Sequence, residues 1–403
     1  MTTATVKLYG TTIGTAQWDP SEQLVNFSYA EGFQHSGIEL SPLMLPLRGG
    51  SYSESHLPGL LHDALPDGFS RSLLPPGLDP VAQLLVLGQT GMGALEFHPS
   101  ESVTSSEAIQ LNRLAEHCTL LLGSPDQLST EAKALLEQCS LSVGGDRPKA
   151  LIGWNPKDLE IRPSQNDLPD GFQHWLVKLD GVTAGEDTSL TNPQGNCRIE
   201  YAYYLMAREA GIEMTECRLH EEFGRAHFMT KRFDRTDQGQ KIHVQSLAAL
   251  AHLDPEDEEQ NSYETIFQIS RRLGLPYPQL EELYRRAVFN IFARNQDDEP
   301  RNISFLMSRR GEWSLAPAYD LTFSYQPSGA GTGLQKMSLN GKRDDFTMED
   351  LLAGARAATV KPRKARAIIE EVRYALSGWS KFAFQAKVPQ GFSLGIAGQF
   401  RSI

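Results

Sequence analysis

The stretch Tyr284–Tyr325 constrains the fold more than any other part of the chain. Apolar side chains at helical spacing predict a helix over Arg285–Phe292, and the polar residues 295–301 cannot continue its buried face. Runs of apolar and β-forming residues then predict two short strands, Ile303–Met307 and Trp313–Leu315. We therefore expect the polar side chains of this stretch to gather around one strand–turn–strand unit.

Three polar residues of this unit have the spacing that phosphoryl transfer uses. Asp297 precedes Asn302 by five positions, and Asp320 follows the second strand. In protein kinases an aspartate in the first position orients the attacking hydroxyl, while the asparagine and a later aspartate bind Mg²⁺. Asp and Asn are also common in ordinary turns, so the spacing indicates a kinase only with support from the rest of the chain.

Length and charge limit the classes of protein that remain. A chain of 403 residues is too long for one compact core, so we expect two or more domains. Its 40% hydrophobic and 22% charged residues are typical of a globular protein. The net charge of −12 argues against broad affinity for nucleic acid, since neutralising phosphates requires an excess of Lys and Arg. The four cysteines include no C-x-x-C pair, which argues against a zinc site or a disulfide framework. Because we find no signal segment or long apolar run, we expect a cytoplasmic protein without membrane contact.

The N-terminal part predicts a sheet followed by short helices. Runs rich in β-forming residues at Thr5–Tyr9, Ile13–Trp18 and Leu24–Tyr29 predict an antiparallel sheet. Helical patterns follow at Leu60–Leu65 and Phe69–Leu74, separated by a Pro-Asp-Gly turn signal.

A glycine-rich run and a polar stretch follow these helices. The run GQTGMG at residues 88–93 lacks the Lys-Ser/Thr of a Walker motif, so we interpret it as a structural turn. The polar stretch Ser100–Glu107 predicts a domain boundary before helices over Ala108–Leu122 and Ser129–Cys139. With the kinase elements described next, we expect three parts: residues 1–105, 106–235 and 236–403.

Several features of an ATP site precede the polar loop. Gly144-Gly145 stands before a predicted strand, where glycines let backbone amides approach phosphate oxygens; an ordinary hairpin turn is the alternative. The strand Trp175–Leu179 carries Lys178, and a lysine in an apolar strand is costly unless it is paired. Its alternative is a solvent-facing lysine on an edge strand. Glu200, near the start of a helix over Asn196–Ala210, is the candidate partner, although acids also complement helix N-termini.

The order of these features is that of a two-lobed kinase. After the helix come predicted strands at Cys217–Leu219 and His227–Thr230, a connector at Lys231–Arg235, and a helical region over Tyr263–Phe292. The polar loop and the final aspartate close the series. Several weak signals in one order are stronger than any one of them.

The chain resembles the HipA-type serine/threonine kinases of bacterial toxin–antitoxin modules over nearly its whole length. The N-terminal motifs are VKLYGTTIGTAQW, LSPLMLPLR and LHDALPDGFSRSLL. SVGGDRPKALIGW is similar to the phosphate loop of the family, HWLVKL to its lysine strand and MTKRFDR to its interlobe segment. NQDDEPRN and LAPAYD are similar to its catalytic loop and metal-binding aspartate. The resemblance implies an α+β, two-lobed protein-kinase-like fold of HipA type. Its N-terminal lobe is α/β with an antiparallel sheet, and its C-terminal lobe is mostly helical.

The resemblance also implies roles for individual residues. Asp297 is the implied catalytic base, Asn302 and Asp320 are implied Mg²⁺ ligands, and Lys178 is implied to bind the ATP phosphates. Ser142 matches a position that family members autophosphorylate, which expels the phosphate loop and stops the kinase. The other residues implied to contact ATP belong to the phosphate loop and the adenine-holding interlobe segment: Val143, Gly144, Gly145, Asp146, Arg147, Lys149, Lys231, Arg232 and Phe233.

Three positions in two loops depart from the family pattern. Glu299 stands where the catalytic loop usually has a histidine, and Asp146-Arg147 replaces an uncharged residue and a glutamine in the phosphate loop. A carboxylate beside a triphosphate is repelled unless Arg147 or Mg²⁺ offsets it.

The resemblance implies a protein substrate, in some family members an aminoacyl-tRNA synthetase or another translation component, and a small helix–turn–helix antitoxin through which DNA is contacted. Two alternatives stay open. One is a catalytically weak relative that acts as a binding module; the basic stretch 361–366, at the junction of the predicted helices Met348–Ala357 and Arg363–Leu376, has a helix–turn–helix-like pattern or is a solvated bundle face. The other is a small-molecule kinase, which needs a lid where a protein substrate needs an open cleft; the loop Gln326–Leu334 would serve either way.

Overall fold

The computed structural model describes residues 1–100, 107–164, 168–183, 193–257, 259–327 and 332–403. The predicted boundary near residue 105 lies outside the described residues, as do Gly329 and Gly331 of the loop Gln326–Leu334. The chain divides into two compact units: unit 1 is Met1–Cys197, Glu216–Gln245 and Met307–Glu312, and unit 2 is Arg198–Thr215, Ser246–Leu306 and Trp313–Ile403.

An antiparallel sheet begins unit 1, as the alternation of apolar and polar residues predicts. Its strands are Thr2–Leu8 (β1), Thr11–Asp19 (β2), Leu24–Tyr29 (β3), Ser51–Glu54 (β4) and Leu95–His98 (β5). They lie in the order β4-β3-β2-β1-β5, and each neighbouring pair is antiparallel. Every second residue of β3 is buried, so one face of the sheet forms a core.

The helices beside this sheet are short. They are Glu31–Gln34 (α1), Gly59–His62 (α2), Gly68–Arg71 (α3) and Pro80–Leu87 (α4). The sequence predicts longer helices over Leu60–Leu65 and Phe69–Leu74. The backbone after α2 and after α3 instead closes tighter i→i−3 hydrogen bonds, which end each helix after one turn.

A second antiparallel sheet in unit 1 carries most of the predicted nucleotide elements. Its strands are Lys149–Trp154 (β6), Ile161–Pro163 (β7), Gln173–Lys178 (β8), Cys217–Glu222 (β9) and Arg225–Lys231 (β10), in the order β7-β6-β8-β10-β9. The helices Leu111–Gly123 (α5) and Thr130–Ser140 (α6), with a 3-10 turn at Pro125–Gln127 between them, share a buried apolar cluster with this sheet. Phe69 and Leu73 belong to the same cluster, so the chain around α3 is anchored in the core of the second sheet.

Unit 2 is mostly helical, as expected. The other α-helices that the structure describes are Asn196–Glu209 (α7), Leu247–Ala251 (α8), Tyr263–Arg272 (α9), Tyr277–Phe292 (α10), Met348–Ala357 (α11), Pro362–Ser377 (α12), Trp379–Gln385 (α13) and Gln390–Ala397 (α14). A 3-10 turn spans Pro300–Asn302, and the other strands described are His243–Ser246 (β11), Ser304–Met307 (β12) and Trp313–Leu315 (β13). The predicted helical region Tyr263–Phe292 is two helices, because Gly274 takes a left-handed conformation (φ +76°) and Pro276 caps α10.

Two details of the predicted C-terminal helices are confirmed. The Thr347 and Asp350 side chains form a reciprocal capping box at the start of α11. The helix α12 buries Ile368 and Ile369 while Arg363 and Arg366 are exposed, which fits a bundle helix with a solvated basic face. Among the helices described, none is both long and apolar enough to cross a membrane.

Candidate functional site

The loop after α10 presents Asp297 to solvent. Asp297 is exposed, whereas its neighbours Gln296 and Asp298 are buried. The Ser324 hydroxyl accepts hydrogen bonds from the backbone N–H groups of Gln296 at 2.7 Å and Asp297 at 3.0 Å. The backbone at Asp297 is therefore fixed while its side chain faces outward, which suits a residue that must meet a substrate hydroxyl.

Asn302 and Asp320 are connected to the same loop. The Asn302 side-chain amide donates to the Asp297 carbonyl oxygen at 2.9 Å. The Tyr319 hydroxyl, next to Asp320, donates to the Arg301 carbonyl oxygen at 2.7 Å. Asp320 itself has a left-handed backbone (φ +56°), a conformation that Asp tolerates better than most residues. The structure thus brings the three predicted residues into one loop-and-hairpin unit.

Asp298 supports this loop from inside. Its carboxylate accepts backbone N–H groups from Lys336 at 2.9 Å and Met337 at 3.2 Å, and also accepts the Tyr263 hydroxyl. Burial raises the pKa of Asp298 to about 7, although these hydrogen bonds act to lower it. The amide of Asn290 donates to the Tyr263 hydroxyl oxygen at 3.0 Å, so the network reaches α10.

Glu299 is buried beside the loop. It pairs with Arg301 at 2.8 Å and lies 3.9 Å from the Lys336 ammonium. Burial raises the pKa of the Glu299 carboxyl, and the Arg301 guanidinium partly offsets this. Glu299, the departure from the family pattern in the catalytic loop, therefore forms ion pairs with two basic side chains.

Lys178 lies at the end of β8, the middle strand of the second sheet. Its neighbours across the sheet are Lys149 on β6 and Phe228 on β10. Lys178 is only 8% exposed, so the alternative of a solvent-facing lysine on an edge strand is wrong. Glu200 is buried in the first turns of α7, and its pairing with Lys178 stays a prediction.

The predicted phosphate loop connects α6 to β6. The Ser142 hydroxyl is 2.8 Å from the Thr90 hydroxyl, and Ser142 is largely buried. The Lys149 ammonium donates to the Gly144 carbonyl oxygen at 3.1 Å. Val143 is buried and Gly145 is half-buried, whereas the tip of the loop is exposed at Gly144, Asp146 and Arg147.

The predicted interlobe segment is held by buried ion pairs. The Arg232 guanidinium makes two hydrogen bonds to Asp234, at 2.8 and 2.6 Å. Burial acts to raise the pKa of Asp234, but Arg232 and Arg235 outweigh it and hold the pKa well below its usual range. Asp234 also accepts the Gly93 amide at 2.8 Å, which gives the run at residues 88–93 the structural role predicted for it.

Two of the backbone amides in this segment already have partners. The N–H groups of Lys231 and Arg232 donate to backbone carbonyls at 2.8 and 3.0 Å, and Phe233 is half-buried. Adenine recognition by Lys231–Phe233 stays a prediction.

Comparison with known proteins gives the family. Residues 141–379 match the family model of the HipA-like C-terminal domain, which is more than half of the chain. The chain belongs to the HipA family. Residues 4–98 also match the HipA N-terminal domain, so both HipA regions are present in the expected order.

Two relatives extend this result. The solved structure of HipA from Shewanella oneidensis MR-1, in complex with HipB and its operator DNA, has a TM-score of 0.72 at 16% identity. It covers 98% of this chain and 95% of that one, which confirms the α+β HipA-type fold. A Haemophilus influenzae protein described as "Putative kinase" is 27% identical over 179 residues, or 37% of this chain. The match spans 50% of that protein, so this chain covers about half the length of its curated relative.

Sequence reasoning missed several residues that shape the HipA site. The pair Asp297-Asp298 gives no sign of which carboxylate is buried, because both lie in a polar run. Ser324 and Thr90 carry no motif, since a lone hydroxyl becomes informative only when its partner is known.

Proposed function

We propose that this protein is an ATP- and Mg²⁺-dependent serine/threonine protein kinase that inhibits growth or translation as the toxin of a toxin–antitoxin pair. The observation that carries the proposal is the loop-and-hairpin unit around Asp297. The Ser324 hydroxyl fixes the backbone of Asp297, whose side chain is exposed, and the Asn302 amide and the Tyr319 hydroxyl beside Asp320 donate hydrogen bonds to the loop.

The residues fit a magnesium ion. Asn302 uses its amide nitrogen to bind the Asp297 carbonyl, which leaves its amide oxygen as a hard ligand. Among the described residues no group of three or more His, Cys, Asp or Glu side chains forms a metal site of its own. Mg²⁺ keeps water and nucleotide phosphates as ligands, so an amide and a carboxylate are a sufficient protein share. When bound, MgATP supplies the phosphoryl group and the charge neutralisation of its transfer.

Each protein group then has a defined role. Asp297 orients the substrate hydroxyl and takes its proton as the oxygen bonds to the γ-phosphorus and ADP leaves. Lys178 provides a positive charge at the end of a buried strand. Its ammonium attracts phosphate oxygens more strongly there than in water, because the dielectric constant is lower. The phosphate loop Val143–Lys149 offers backbone amides to phosphate oxygens, with Asp146 and Arg147 at its exposed tip.

We further propose a small helix–turn–helix antitoxin as partner. The Shewanella oneidensis HipA structure contains HipB and operator DNA, and this chain shares its fold and both HipA regions. We expect the phosphate acceptor to be a hydroxyl group on a protein, such as an aminoacyl-tRNA synthetase or another translation component.

Phosphate transfer from γ-labelled ATP tests the proposal. The wild-type protein is incubated with MgATP in three separate reactions: with no other substrate, with a cell lysate, and with a panel of metabolites. We expect label on protein serine or threonine, and none with Asp297→Asn or Asp320→Ala. Asp126→Asn, an exposed carboxylate in the 3-10 turn of unit 1, is the matched control and should transfer normally.

The possible outcomes separate the alternatives. Label on metabolites alone would favour a small-molecule kinase, and no label with retained antitoxin binding would favour a binding module. Full transfer by Asp320→Ala would show that Asp320 is not a metal ligand.

A further inference from the structure

The phosphate loop of unit 1 is bound by a carboxylate from the N-terminal region. The backbone N–H of Gly145 donates to Asp67, in the turn that precedes α3. The fit is close: a Cβ at Gly144 would lie 2.9 Å from the same Asp67 oxygen. On its other side Gly145 faces Lys149, whose ammonium would lie 2.5 Å from an added Cβ. The Asp67 carboxylate therefore already accepts the hydrogen bond of the Gly145 amide, beside the Lys149 ammonium.

The chain around α3 holds Asp67 in place. The Phe69 N–H donates to the Gly145 carbonyl oxygen at 3.3 Å, and the Ser70 hydroxyl is within 2.6 Å of the Ser140 carbonyl oxygen. Gly68 has a positive φ of 47°, and a Cβ there would come within 2.6 Å of the Gly145 carbonyl oxygen. Phe69 is also buried in the core of the second sheet. The hydrogen bonds and packing of the residues that follow Asp67 thus hold its carboxylate beside the phosphate loop.

We propose that Asp67 is a part of the nucleotide site that sets its affinity for phosphate. The inference rests on the proposed kinase function, in which the Gly145 amide meets a phosphate oxygen of ATP. A carboxylate and a phosphate oxygen compete for the same N–H, and the two anions repel each other. Nucleotide binding must therefore displace Asp67 from the loop, and the N-terminal region lowers the affinity of the apo loop for polyphosphate.

The competition predicts that ligand affinity depends on the charge at position 67 and on the phosphate groups of the ligand. Asp67→Ala removes the competing acceptor and its charge, whereas Asp67→Asn keeps a neutral acceptor of the same shape. We expect MgATP to bind about tenfold more tightly to Asp67→Ala than to the wild type, and Asp67→Asn to lie between them. Adenosine lacks phosphate, so its affinity should be the same in all three proteins.

Isothermal titration of the full chain with MgATP and with adenosine tests this. Asp63→Asn, an exposed carboxylate in the same segment, is the matched control and should bind as the wild type does. Thermal melting of each protein checks folding, and Asp67→Asn decides the matter if Asp67→Ala does not fold.

The outcomes distinguish this inference from the function on which it rests. If the wild type binds MgATP and both Asp67 variants bind it equally or more weakly, Asp67 only shapes the loop and the inference is wrong. An equal gain for adenosine would also overturn it, because phosphate would not be involved. If the wild type binds no nucleotide, the kinase proposal itself fails, and this inference with it.

Discussion

Asp297 and Asp298 are adjacent in the chain but have opposite surroundings. Asp297 is exposed, while Asp298 is buried and accepts hydrogen bonds from Lys336, Met337 and Tyr263. Removing a carboxylate from water disfavours its ionised form, and burial accordingly dominates the shift at Asp298. One of these adjacent residues thus faces solvent, and its neighbour ties the loop to the segment at residues 336–337.

The buried carboxylate predicts a pH dependence of stability. The pKa of Asp298 rises from 3.8 to about 7 on folding, so the folded state holds the proton more tightly and stability is lost as pH rises towards 7. Asp298→Asn does not titrate. The unfolding free energy of the wild type relative to this variant should fall by up to about 1.4 kcal/mol per pH unit between about pH 5 and pH 7, and level off above.

Urea unfolding of both proteins across this range measures the difference. The Tyr263 hydroxyl and the Arg401 guanidinium both interact with Asp298, and both keep their charge state over the range. Parallel stability curves for wild type and variant would show that Asp298 is already ionised in the folded protein at low pH.

At the scale of elements, the sequence predicted those with strong periodicity and missed those set by packing. The strands β1 to β3 and the helices α5, α10 and α11 follow apolar patterns that the local sequence carries. The one-turn helices α2 and α3 do not, because tighter hydrogen bonds end them. The same held for the site: spacing indicated Asp297, Asn302 and Asp320. The contact of Asp67 with Gly145 joins residues 78 positions apart and has no local signal.

The phosphate loop is the element for which regulation is expected. Ser142 is largely buried, and its hydroxyl lies 2.8 Å from the Thr90 hydroxyl, a contact that a phosphoryl group on Ser142 would replace. That group carries roughly −1.5 to −2 charges at neutral pH and would lie close to Asp146 and the ATP phosphates. We therefore predict that incubation with MgATP phosphorylates Ser142, that the loop Val143–Lys149 leaves its place, and that the product no longer binds nucleotide.

Peptide mass spectrometry and nucleotide titration after incubation check this switch. Ser142→Ala should stay unmodified, Ser142→Asp should bind ATP weakly, and Thr90→Ala serves to test whether the neighbouring hydroxyl is labelled instead. Ser142 phosphorylation with unchanged nucleotide affinity would contradict the switch and leave the kinase proposal standing.

At the scale of the whole molecule, the net negative charge disfavours direct binding of this chain to DNA. The chain has 50 acidic and 38 basic residues, which gives the net charge of −12. In its basic stretch at residues 361–366, Lys361 stands at the N-cap of α12 and the following residues belong to that helix, where the Lys364 ammonium lies 3.7 Å from the Glu281 carboxylate. A few exposed cations on an acidic protein release few counterions from DNA, so unaided binding should be weak.

We predict that this chain alone does not retard duplex DNA in a mobility-shift experiment at about 0.15 M salt. If the neighbouring reading frame encodes a small helix–turn–helix protein, the two proteins together should retard the DNA upstream of that pair of genes. The double variant Arg363→Ala/Arg366→Ala should behave as the wild type in both experiments, because the partner would supply the phosphate contacts. Retardation by the chain alone that disappears in the double variant would show that α12 itself binds DNA, and the antitoxin would then not be the only contact.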